Sequence, residues 1–138
     1  MKKSTRLASA VTTAVLAPAL LAGCTGLEPV VGHGMQLAIY EPDGSTYDMW
    51  NSGELIDLGQ GCVGVHRITD GETYLAAFAS GTRVDDGGIH VPGSDRVLNI
   101  GDAITYRGGL AGSEAQIPSG CATPAGVWQL RDLSIAAQ

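Results

Sequence analysis

From Met35 onward the chain is cut by turn chemistry roughly every ten residues, and this punctuation restricts it to short strands. Glu41-Pro42-Asp43-Gly44, Thr69-Asp70-Gly71-Glu72, Asp85-Asp86-Gly87-Gly88 and Gly101-Asp102 set Gly or Pro beside carboxylates, which supply positive φ and local side-chain caps. Strand-like runs lie between them at 35–40, 62–68, 73–79, 82–84, 89–91, 96–100 and 103–107, and character of the same kind returns at 126–130 and 132–136. Such spacing is the signature of an all-β sandwich or barrel. Residues 45–58 are ambiguous: Met49, Trp50, Leu55, Ile56 and Leu58 fit a strand or one helical turn. Residues 108–125 show no strand period, and a loop of that length is usually functional or loosely ordered. Trp128 is expected to close an apolar end of the core.

The N-terminus is of a different kind. Lys2, Lys3 and Arg6 open it, an apolar run follows over residues 7–21, and Leu21-Ala22-Gly23-Cys24 ends it. This order resembles the signal peptide and lipobox of a bacterial lipoprotein. The resemblance implies cleavage before Cys24, a diacylglyceryl thioether on its sulfur, and residence at the outer face of the cytoplasmic membrane. A membrane-spanning anchor is the alternative, but a span needs ~20 apolar residues, and this run is shorter and holds Thr12, Thr13 and Pro18. A chance cysteine after an ordinary signal peptide is the other. The implied organisation is a signal peptide over 1–23, a short stem over 24–33 and one domain over 34–138, a length suited to a single core.

All fourteen Asp and Glu follow Cys24, against Arg67, Arg83, Arg96, Arg107 and Arg131 and no lysine, so the mature part carries a net charge near −9. Nucleic acid is not expected as a partner, because binding it begins with neutralising phosphates. Anionic headgroups would not hold the globule by charge either, leaving the acyl chains on Cys24 as the membrane contact. With Cys24 committed to lipid, Cys62 and Cys121 would lie outside the cytoplasm, where disulfides persist. Their union closes a loop of about 60 residues, worth ~4 kcal/mol by chain entropy. Neither belongs to a Cys-x-x-Cys pair, which argues against a metal role.

Over residues 61–130 the chain resembles a small secreted domain that recurs in high-GC bacteria. The likeness is carried by Gly61-Cys62, Ser80-Gly81-Thr82-Arg83-Val84 with Gly88-Ile89, Leu98-Asn99-Ile100-Gly101-Asp102 before Gly108-Gly109, and Pro118-Ser119-Gly120-Cys121 before Val127-Trp128. Where that family tends to carry a proline before the serine, this chain has Ala79. The resemblance implies a small closed or partly open antiparallel β-barrel, OB-like, of about six to seven short strands, stapled by one disulfide. It implies no activity.

No catalytic or metal-binding constellation stands out. His33, His66 and His90 have no ligand spacing. None of Ser45, Ser52, Ser80, Ser94, Ser113, Ser119 and Ser134 sits in Gly-x-Ser-x-Gly or Ser-x-x-Lys. The carboxylate pairs Asp70 with Glu72 and Asp85 with Asp86 lie in turns, where aspartate has a conformational role, and Asp85-Asp86-Gly87-Gly88 lacks EF-hand spacing. No phosphate-cradling or dinucleotide motif occurs, and no cofactor is expected. The expected function is that of a lipid-anchored envelope protein without catalysis, presenting a loop-rich face, residues 110–117 in particular, to an envelope protein or wall component. Two alternatives remain: an inhibitor of a wall-degrading enzyme acting through Ser80-Gly81, and a hydrolase or metal-dependent enzyme assembled from distant residues.

Overall fold

A computed structural model describes residues 27–136; the expected signal peptide over 1–23 and Cys24 lie outside the described residues. Eleven strands run in chain order: β1 (Val30–Gly32), β2 (Met35–Tyr40), β3 (Asn51–Asp57), β4 (Val63–Arg67), β5 (Thr73–Ala79), β6 (Arg83–Asp85), β7 (Gly88–His90), β8 (Val97–Leu98), β9 (Ala103–Arg107), β10 (Val127–Gln129) and β11 (Arg131–Ile135). No helix occurs among the described residues. The all-β expectation holds, but the count exceeds six to seven, and of the expected closed or partly open barrel the closed form is corrected: an eight-stranded sheet curls into a half-barrel, with a separate three-stranded sheet β6-β7-β8. Nor is the large sheet wholly antiparallel: β2 and β10 both pair with β5 in parallel.

β5 is the hub, and its residues explain why. Along a strand successive N–H groups point to opposite edges. The Leu75 N–H donates to Gly126 O on the β10 side, whereas Ser80 N–H donates to Tyr40 O, continuing the β2 side. Both sheet faces are covered, so the run reads as nearly continuous apolar sequence. Tyr74, Ala76 and Phe78 enter the main core with Leu37, Ile39, Leu55, Val63, Val65, Ile104, Tyr106 and Leu130. Leu75 and Ala77 enter a second cluster on the opposite face with Ala38, Tyr40, Cys62, Ala115 and Val127. The small sheet adds Ile89 and Leu98 to the main core.

The ambiguous stretch resolves into an irregular segment ending at Trp50 and then β3. Its strand period was hidden because the inward positions are Asn51, Gly53 and Leu55, of which one is aliphatic. Gly53 is dictated by packing: a Cβ there would come 2.7 Å from His66 O and 3.3 Å from the Tyr106 hydroxyl. Part of the expected stem also folds, since Val30–Gly32 pairs antiparallel with Met35–Leu37.

Candidate functional site

Cys62 and Cys121 form a disulfide with Cα atoms 5.7 Å apart. Cys62 is buried in the second cluster just before β4, so the bond pins residues 108–125 across that cluster. The segment is thus ordered cover for an apolar face. Gln116 and Ile39 exchange backbone hydrogen bonds at 2.8 and 3.0 Å, Ala111 N–H donates to Val127 O, and Ala115 is buried. Glu114 Oε1 accepts from Gln129 Nε2 at 3.0 Å and from Gly112 N–H at 2.9 Å. Its carboxyl titrates below the usual range because backbone N–H groups hold the anion. Of the expected contact stretch, Leu110 and Ile117 project outward while Ala115 faces the core, a split that a search for strand period could not find.

The histidines are held by separate surroundings. His33 occupies the β1–β2 turn at φ 49°. His66, on β4, faces solvent with Nδ1 3.1 Å from Thr73 Oγ1. His90, on β7 in the small sheet, places Nε2 2.8 Å from Asp85 Oδ2, which Arg83 also meets at 3.1 Å. Among the described residues no group of three or more His, Cys, Asp and Glu is placed to hold a metal ion. The turn aspartates act on the backbone: Asp70 Oδ1 accepts from Glu72 N–H and Asp85 Oδ1 from Gly87 N–H. Asp70 is held below its ordinary pKa first by that N–H, and Asp85 first by the His90 contact, opposite to the raised value that suits a general acid. In the Ser80-Gly81 turn the serine is half-buried and its N–H is committed to Tyr40 O.

Sequence reading missed the arginine and aromatic stacks. Arg67 sits 3.8 Å from the centre of the Trp128 ring and 5.6 Å from that of Tyr74, while Nη2 donates to Asn51 Oδ1 at 2.7 Å and Nη1 pairs with Asp70 at 2.6 Å. Trp128 therefore ends the core against a buried cation. Arg131 lies between Tyr40 and Tyr47, at 4.9 and 5.2 Å, and bonds Gln129 and Asp43. Asp43 is lowered to about 2, chiefly by the Ser45 N–H, while burial pushes Tyr40 up to about 12. Most of these partners are far apart along the chain, so no motif announces them. Next to this cluster a cavity of about 290 Å³ opens between Tyr40, Ala79, Pro92, Leu130 and Leu133, near the lower limit for small-ligand pockets.

The remaining feature is the convex face of β4, β3, β9 and β11. Alternation turns Ser52 and Glu54 outward. Cross-strand pairing sets Glu54 between His66 and Ala103, and sets Ser52 beside Thr105, which in turn faces Ser134. The Thr105 and Ser134 hydroxyls are 2.8 Å apart. At one corner Trp50, 54% exposed, lies over the Arg107 guanidinium at 4.6 Å, and Arg107 Nε is 3.6 Å from Asp132. Ile68, 70% exposed, flanks Ser52, whose carbonyl accepts the Ile68 N–H. No protein-family model matches the chain, and no curated protein or solved structure is significantly similar to it.

Proposed function

We propose that this chain is a lipid-anchored binding module of the cell envelope, held at the outer face of the cytoplasmic membrane through Cys24 and contacting an envelope protein or wall component without catalysing a reaction. The observation that carries the reading is the use of the cysteines. Two of the three are joined in a disulfide, which belongs in an oxidising compartment, and the third closes Leu21-Ala22-Gly23-Cys24. β1 starts at Val30, within ~20 Å of extended chain from Cys24, so the module would work close to the membrane surface. Support for a binding role comes from the convex sheet face and from Leu110 and Ile117, which are exposed on a segment that is otherwise tied down.

Globomycin blocks cleavage of lipoprotein precursors, and treated cells should accumulate a form longer by residues 1–23. Mass spectrometry of native protein should find an acylated Cys24 at the N-terminus. Unchanged migration together with an unmodified Cys24 would end the proposal.

A further inference from the structure

We infer that the convex face of β3, β4, β9 and β11 binds an uncharged polysaccharide, with Trp50 stacking on a sugar ring and the Ser52, Thr105 and Ser134 hydroxyls bonding along the chain. The inference rests on the proposed role at the wall and names the chemistry of its partner.

Charge selects the class of occupant. The residues after Cys24 carry fourteen carboxylates against five arginines, yet this face is nearly neutral. Arg107 is balanced by Asp132, and Glu54 stands as its one unpaired acid, opposite His66. A polyanion would be repelled by the rest of the molecule, and a cationic partner would find more charge elsewhere.

Surface chemistry narrows it further. Protein interfaces have an apolar, desolvated centre. Here the inner strands β3 and β9 present Ser52 and Thr105, the edge strand β11 continues the row with Ser134, and Trp50 and Ile68 lie just beyond the ends of β3 and β4. Hydroxyls both donate and accept, which is what a polyol requires, and the Thr105–Ser134 contact shows that the row can exchange such bonds. Neighbouring strands are ~4.8 Å apart and outward residues repeat every ~6.8 Å along each strand, so the four strands span ~14 Å across the face. A short run of an extended glycan covers that distance. Trp50 is already oriented by Arg107, so little side-chain freedom remains to be lost when a ring settles on it.

Tryptophan emission and calorimetric titration of the full chain in detergent test the assignment, with an N-acetylglucosamine tetramer and a soluble neutral glucan as probes and heparin as the anionic control. Saturable quenching by a neutral glycan is expected, none by heparin, and in calorimetric titrations, which do not rely on the Trp50 fluorophore, Trp50→Ala or Thr105→Glu should weaken binding about tenfold or more without moving the melting temperature by more than a few degrees. The inference is overturned if no neutral glycan gives a saturable change, if both variants bind as well as the parent, or if the face proves to be covered by a protein or a second copy, seen as an association that Trp50→Ala abolishes. In those cases an acylated Cys24 would still leave the anchored-module reading standing, so the two failures are told apart.

Discussion

Reducing the Cys62–Cys121 bond should lower stability globally and loosen one region first. The bond joins residues 59 apart, and the chain-entropy relation for a loop of that length yields ~4 kcal/mol. For a fold of this size 1 kcal/mol corresponds to about 4 °C, so the melting temperature should fall by ~15 °C. The loss is not uniform. Cys121 holds residues 108–125 over the cluster of Ala38, Tyr40, Leu75 and Ala77, whereas the main core lies on the other side of β2 and β5. On reduction the Ile39 and Gln116 amides, which bond each other's carbonyls, should lose hydrogen-exchange protection well before amides of β4 and the Tyr74–Phe78 part of β5. Thermal circular dichroism with and without a phosphine reductant, alongside a Cys62→Ala, Cys121→Ala double variant, measures the first effect, and exchange mass spectrometry the second. A fall of less than ~5 °C with unchanged protection at Gln116 would refute both the loop-closure magnitude and the role given to the segment.

Gly108→Ala should cost ~3 kcal/mol or more, because φ is +147° and the new Cβ would overlap Gln129 O; Gly44→Ala, at φ +78° in open space, should cost only ~1–2 kcal/mol by chemical denaturation. Tyr106→Phe should hold or raise stability by up to ~1 kcal/mol, since that hydroxyl is buried with no hydrogen-bond partner among the described residues; a clear loss would mean that it bonds Arg67 strongly. The folded pKa values of Asp43, Asp70, Asp85 and Glu114 all lie below their ordinary values. Their contribution to stability is therefore complete above the unfolded values near ~4 and is lost as pH falls through the folded ones, about 2 for Asp43. At high salt, which screens net repulsion, melting temperatures should hold from neutrality to mild acid and then decline; a rise in strong acid would contradict the assignment.

Local chemistry was legible wherever it was periodic. The runs that became β2, β5, β9 and the β6–β7 hairpin, and the turns at Asp70 and Asp85, follow from alternation and Asx chemistry acting over a few residues. β3 was obscured because its inward positions hold Asn and Gly, whose burial has meaning only beside Arg67 and Tyr106. The convex face escaped notice for a related reason: Ser52, Thr105 and Ser134 are unremarkable singly and form a surface only through the register of three strands.

Composition and turn spacing alone determined that the chain builds short strands and that the residues after Cys24 are strongly acidic, because each is a property of neighbouring residues or of a count. Tertiary structure alone decided that the sheet stays open, that β5 takes parallel partners, and that residues 108–125 form a lid over a second apolar cluster. It also set three arginines against aromatic rings. Those outcomes depend on edges and faces meeting across many tens of residues, and hydrogen bonding and apolar burial do not specify at such range which edge will meet which until the whole core is assembled.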